Sequence, residues 1–308
     1  MAEVTAALVK QLREQTGAGM MDCKTALTES DGDLENATDW LRKKGLAAAA
    51  KKAGRLASEG LIGLKVEGPR GVVVEVNSET DFVARNQDFQ QLVRTIADLA
   101  LTTGHLDRLL QATVPSSGRA VADEIAQTIA VIGENMSLRR VAAVEVGEGV
   151  VGSYVHAALA PGLGKIGVLV GLQSAGDPDQ VGALGKQLAM HIAAAKPMTV
   201  SVDRLEPSQL ARERAIYAEQ ARASGKPDNI IDKIVDGRMR KFYEEVVLLE
   251  QAFVIDPDLK VKAAIERVAE AVGSTIVVTG FERFALGEGL AARTSNLAEE
   301  VSAQLADT

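Results

Sequence analysis

Along the first 54 positions the apolar residues recur at helical spacing in three separate stripes. Val4, Leu8 and Leu12 form the first, the run TGAGMMD interrupts it, Cys23, Ala26 and Leu27 form the second, and Leu34, Ala37, Trp40 and Leu41 form the third. Intervals of three and four residues put each set on one face of a helix, so the pattern predicts a three-helix module over 1–54. Asp31 or Asp33 in SDGD is the expected cap of the third helix, accepting a backbone N–H, and Gly45 its expected stop. The run AAAAKKAGRLASEG has few large apolar groups to bury and reads as a linker.

Beyond it the period changes to two. LIGLKVE and GVVVEV, separated by the turn-like GPRG, predict a β-hairpin, after which helical spacing returns at Phe89, Leu92, Val93 and Ile96. A similar unit follows 96 positions later, where Gly167-Val168-Leu169-Val170 matches Gly71-Val72-Val73-Val74, Leu188 matches Leu92, Ile192 matches Ile96 and Ala193 matches Ala97. Two related α+β subdomains are expected, each a small sheet covered by a helix, over 55–140 and 141–290, although any strand followed by a helix gives some such matches. From about 205 to 249 two helical stripes flank SGKPD. Leu210, Tyr217 and Ala221 mark one, and Ile231, Val235, Met239, Phe242 and Val246 the other. They predict antiparallel arms, either projecting from the molecule or packed on its core. STIVVTGFERF reads as a strand returning to the sheet, and 291–308 as a short amphipathic tail helix.

One residue departs from its surroundings. Phe82 stands in EVNSETDFVARNQ, among acids, amides and an arginine, between the end of a strand and the start of a helix. A phenylalanine there either plugs the core beneath the next helix or is displayed as an anchor for a partner's pocket. The polar setting favours display.

Composition narrows the classes. Of the residues, 46% are apolar and 25% charged, which is the balance of a globular chain. A formal charge of −8 opposes the phosphate attraction on which nucleic-acid binding depends, so the expected partner is a protein. Cys23 is the only cysteine, which excludes an internal disulfide and a cysteine-based zinc cluster and suits a reducing cytosol. The opening MAEVTAALVK lacks a basic segment followed by an apolar one, and no stretch of about 20 uncharged apolar residues occurs, so no membrane association and a cytoplasmic location are expected.

Enzyme signatures fail on physical grounds. GLGKIG at 162–167 has Ile166 where a phosphate loop needs a hydroxyl for magnesium. His105 falls in a loop, His156 on a strand and His191 on a helix face where a packing role is expected, and none has metal-ligand spacing. Cys23 has no sequence sign of a paired base. No catalytic residue, metal or cofactor is expected. The oligomeric state stays open, a dimeric assembly included.

TGAGMMDCK at 16–24, NSETDFVARN at 77–86, IGEN followed by RR at 132–140, SGKP at 224–227, GRMRKF at 237–242 and GFERFALGEG at 280–289 occur in this order over almost the whole chain. With these motifs the sequence resembles the bacterial elongation factor Ts family, the guanine-nucleotide exchange factors of the translational GTPase elongation factor Tu. The resemblance implies a ubiquitin-associated-like three-helix N-terminal module, a duplicated α+β core and a protruding antiparallel helical hairpin. It implies that the chain binds elongation factor Tu, GDP-bound or nucleotide-free, and promotes GDP release. By the family's pattern Thr80, Asp81, Phe82 and Val83 disturb the GTPase's magnesium site, Arg13, Met20 and Met21 touch the same domain of the partner, and His156 makes a further contact. One departure is the longer AALAPGLGK after His156, where the family has a short glycine-containing turn. A rival of another class is an adaptor in which the N-terminal module alone binds a partner and the core is a scaffold.

Overall fold

The structure is a computed structural model and describes residues 4–225 and 227–290; the tail helix expected over 291–308 lies outside the described residues. Three helices open the chain: α1 (Ala6–Thr16), α2 (Met20–Glu29) and α3 (Leu34–Lys52). Their stripes meet in a small core of Val9, Leu12, Cys23, Ala26, Leu27, Ala37 and Leu41. Asp33 is the cap of α3, accepting the Asn36 N–H at 2.8 Å, while Asp31 takes the left-handed conformation in the preceding turn. Gly45 does not stop the helix. It is buried within α3, and a Cβ there would lie 3.3 Å from Ala130 Cβ, so the missing side chain lets α3 approach the helix that carries Ala130. The expected linker is therefore helical as far as Lys52, whose Nζ donates to the Gly133 carbonyl at 2.6 Å.

Next come β1 (Glu59–Glu67), β2 (Arg70–Ser78), α4 (Gln87–Thr103), α5 (Leu106–Gln111), α6 (Val121–Ile132) and β3 (Met136–Glu145). The chain goes on through β4 (Gly149–His156), β5 (Leu163–Gly164), β6 (Ile166–Gln173), α7 (Pro178–Ala195), α8 (Pro207–Ala223) and α9 (Asp228–Val246). It closes with β7 (Ala252–Phe253), β8 (Asp256–Lys260), α10 (Val261–Val272) and β9 (Val277–Ala285).

Two antiparallel sheets, ordered β3-β2-β1-β5 and β4-β6-β9, lie face to face. The alternation along β2 explains how. Val72, Val74 and Val76 point to α4 and its Phe89, Val93 and Ile96, whereas Val73 points the other way and meets Val151, Leu169 and Phe284 of the second sheet. On β6, Val168, Val170 and Leu172 face α7 while Leu169 faces the first sheet. Both strands are thus covered on two sides, which is why they read as unbroken apolar runs. Gly71 and Gly167 admit the close approach of the sheets. A Cβ on Gly71 would come within 2.8 Å of Leu169 Cδ2, and one on Gly167 within 2.6 Å of Ile62 Cγ2. β3 runs across residue 140 and pairs with β2 over its length, so the first sheet ends at Glu145, and the short β5 from later in the chain adds its far edge.

Helices α8 and α9 pack along one another around Ala221, Ile231, Val235, Met239 and Phe242, a cluster distinct from those of the sheets. His191 on α7 is fully buried. Its Nδ1 accepts the Val254 N–H at 3.1 Å, which leaves Nε2 to donate to Gln251 Oε1 at 2.8 Å. This fixes the neutral Nε2–H tautomer. Burial holds its pKa below the ordinary histidine value, with the Gln251 bond acting in the opposite direction. A depressed folded pKa means a contribution to stability that is full above the unfolded value near 6.5 and is lost as pH falls toward the folded one. The His191 ring nitrogens are expected to keep the neutral Nε2–H NMR signature to a lower pH than those of a free imidazole followed in the same titration.

Candidate functional site

β2 ends at Ser78, and the chain turns through 79–82 into a short 3-10 turn, Val83–Arg85. The Ser78 hydroxyl donates to the Thr80 carbonyl at 3.0 Å. Val83 and Ala84 are buried under α4, and Asn86 caps that helix by accepting the Asp88 and Phe89 N–H groups at 2.8 and 3.2 Å. Phe82 points the other way and is 76% exposed, the largest exposure among the large apolar side chains described. Of the four residues expected here, Asp81 and Phe82 are presented to solvent, while Thr80 and Val83 anchor the turn from inside. Thr80 gives its N–H to Glu134 Oε2 at 2.9 Å and its hydroxyl to Glu134 Oε1 at 2.6 Å. Phe82 is an apolar ring displayed on a braced loop.

A second patch lies on the N-terminal helices. Val4, Ala6, Val9, Met20 and Met21 line an open groove of about 720 Å³ between α1 and α2, edged by Lys10, Arg13 and Lys24. Met20 is 61% and Met21 71% exposed. The structure brings together the three N-terminal residues singled out in the sequence, and the groove they share is apolar at its floor and cationic at its rim. In a chain of net charge −8 this local reversal suits a partner surface that is apolar and acidic.

His156 ends β4 and is exposed, its Nδ1 3.1 Å from the Tyr154 hydroxyl. Its carbonyl accepts the Lys165 N–H at 3.1 Å, Lys165 Nζ reaches Glu59 at 3.3 Å, and Glu59 pairs with Ser78 at the root of the Phe82 loop. The end of β4 at His156 is thus linked through Lys165 and Glu59 to the end of β2 from which the Phe82 loop departs. The longer loop after His156 folds back through β5, which pairs with β1 at Ile62 and Gly63. GLGKIG is thus largely strand, with Lys165 tied to a carboxylate rather than poised over a helix N-terminus. Among the described residues no cluster of three His, Cys, Asp or Glu side chains could hold a metal ion, and no helix is long and apolar enough to cross a membrane.

A family model described as Elongation factor TS matches residues 79–288, more than half of the chain and including the Phe82 loop. The chain is 57% identical over 303 residues to the Elongation factor Ts of Rhodospirillum centenum, covering 98% of this chain and 99% of that protein. It is 59% identical over 307 residues to that of Rhodospirillum rubrum, covering 99% of each, and 58% identical over 304 residues to that of Rhizobium johnstonii, covering 98% and 99%. The chain belongs to the elongation factor Ts family.

Several motifs carrying the elongation factor Ts resemblance converge on one buried carboxylate. Glu75 of β2 is inaccessible to solvent. Its oxygens accept from Arg139 Nη1 at 3.0 and 3.1 Å, Arg140 Nε at 2.5 Å, Asn77 Nδ2 at 3.1 Å and the Gly287 N–H at 2.9 Å. The same arginines reach forward, Arg139 to the Glu288 carbonyl at 2.7 Å and Arg140 to the Ala285 carbonyl at 3.1 Å, and Arg140 lies over the Phe284 ring. The RR pair and the ALGEG end of the last strand are two halves of one clamp, which pins the C-terminal strand onto the first sheet. Both motifs are visible in the sequence, but their shared partner is not. Glu134 likewise has no sequence signal beyond the IGEN motif itself.

Proposed function

We propose that this chain is a guanine-nucleotide exchange factor for elongation factor Tu and acts in translation elongation by protein–protein contact, with Phe82 as the wedge. The exposure of Phe82 on a braced loop carries the proposal. A GTPase holds GDP through phosphate-cradling backbone N–H groups and a magnesium ion. A protein that prefers the GTPase shape in which that site is disturbed must weaken GDP binding by the same factor that GDP weakens its own. Each tenfold loosening requires about 1.4 kcal/mol of differential binding. Burying an exposed phenylalanine in only one of the partner's shapes supplies about 1.5 to 3 kcal/mol of it. Asp81 and Phe82 meet the magnesium-side elements, the groove around Arg13, Met20 and Met21 docks on the same domain, and His156 adds a contact from the second sheet. The reading includes a ubiquitin-associated-like fold for α1–α3, a projecting arm made of α8 and α9, and a duplication relating β2–α4 to β6–α7. It places the chain in the cytoplasm, binding no nucleic acid directly and catalysing no covalent step.

The adaptor alternative is separated by the doubly substituted full-length chain Met20→Ala, Met21→Ala, which leaves the α3–α6 packing in place. An exchange factor is expected to keep its maximal stimulation of GDP release and to need a roughly tenfold higher concentration, the effect of losing about 1.4 kcal/mol of docking energy. An adaptor is weakened by the same factor in binding but stimulates GDP release at no concentration, with or without the substitutions. Titrating GDP release against each protein decides between them.

A further inference from the structure

We infer that Glu134 is a positioning residue for exchange, holding the loop in the shape that presents Phe82; the inference rests on the exchange reading above. Residues 79–82 lie between the last ladder position of β2 and the 3-10 turn. What restrains them comes largely from a segment more than fifty positions away. Two dipeptides grip each other reciprocally. Glu134 accepts the Thr80 N–H and hydroxyl, and Glu79 accepts the Asn135 N–H at 2.6 Å. Asn135 in turn donates to the Arg55 carbonyl at 2.7 Å.

Glu134 is well placed to be the fixed side of this clasp. Gly133 ends α6 in the left-handed conformation, with φ of 91°, and turns the chain so that Glu134 and Asn135 lead straight into β3, the neighbour of β2. Lys52, at the end of α3, holds the Gly133 carbonyl. Hydrogen bonds to a carboxylate are roughly twice as strong as neutral ones, and a bidentate pair also fixes direction. Phe82 follows Thr80 by two residues, so the direction of the ring is set by where Thr80 is held.

Removing the carboxylate releases the loop into a wider set of shapes, and only a fraction of them aims the ring at the partner. The groove on α1 and α2 docks whatever the loop does. The loss therefore falls on the maximal rate rather than on the concentration giving half of it. Because the effect passes through Phe82, it vanishes when Phe82 is already gone, which a double-mutant cycle reads directly.

The test measures stimulated release of labelled GDP from elongation factor Tu, as a function of factor concentration, for wild type, Glu134→Ala, Phe82→Ala, the double variant and Glu134→Gln. Thermal unfolding monitors the fold. Glu134→Ala is expected to lower the maximal rate about tenfold with less than about a twofold change in half-saturating concentration, and to lower it by less than about twofold in the Phe82→Ala background. Glu134→Gln recovers most of the loss, because its carbonyl can accept the Thr80 N–H while its amide donates to the hydroxyl. Should Glu134→Ala fail to fold, Glu134→Asp, one methylene short of the clasp, carries the same comparison. An unchanged maximal rate in a folded variant, or an equal loss with and without Phe82, overturns the positioning role. Failure of the wild-type protein to stimulate release overturns the exchange reading and this inference with it, and is told apart because no variant is involved.

Discussion

Phe82→Ala is expected to slow the stimulated release of GDP from elongation factor Tu by about ten- to a hundredfold, the range that corresponds to about 1.5 to 3 kcal/mol of lost burial. The same substitution is expected to move the unfolding free energy by less than about 0.5 kcal/mol. The contrast follows from where the ring is. At 76% exposure it contributes little to its own fold, whereas the adjacent Val83 and Ala84 are buried in the core under α4. Phe82→Leu is expected to fall between, since it keeps part of the apolar surface but not the flat ring. Stopped-flow release of a fluorescent GDP together with urea unfolding checks both halves. A loss of exchange accompanied by an equal loss of stability assigns Phe82 to the core rather than to the partner.

Glu75→Ala is expected to behave in the opposite way, costing about 3 to 5 kcal/mol of stability, because it removes the one buried acceptor shared by two arginines, the Asn77 amide and the Gly287 N–H. Burial alone would raise the Glu75 pKa. The Gly287 N–H, Arg140, Asn77 and Arg139 outweigh it and hold the carboxyl below the ordinary glutamate value. A lowered folded pKa means stabilisation that is present above the unfolded value near 4.5 and is lost as pH falls through the folded one. Wild type is therefore expected to lose stability more steeply than Glu75→Ala below pH 4.5, so that the gap between them narrows in acid. Urea unfolding of both proteins at pH 7 and pH 4 tests this. A parallel pair of stability curves would show that the carboxylate is not what the clamp depends on.

Much of the architecture was legible because local pattern and tertiary environment agree. The valines of β2 and β6 read as strands because both of their faces are buried, and the helical stripes of α1–α3 close on a common core to which α1 adds Val9, outside its predicted stripe. Phe82 was legible for the opposite reason: an apolar residue among polar neighbours, at the junction of a strand and a helix, has little to bury against.

The misreadings share one cause. Gly45 reads as a stop because glycine weakens a helix locally, but here it is kept for the approach of Ala130, a neighbour that no local window contains. The stretch after it reads as a linker for want of large side chains, and small side chains are what the close packing of α3 on α6 requires. Glu134, Arg139 and Arg140 could be seen as parts of motifs, yet their work is to hold residues far off in sequence: Thr80 for the first, Glu75 and the 285–288 turn for the arginines. Charged side chains of this kind carry no periodicity, so only the assembled fold discloses their partners.

The most direct test of the account is the rate at which labelled GDP leaves elongation factor Tu in the presence of excess unlabelled nucleotide, with and without this protein. The account predicts that release accelerates with factor concentration to a plateau, with the factor itself unchanged at the end. A release rate that stays at its unstimulated value while the two proteins demonstrably bind would contradict it.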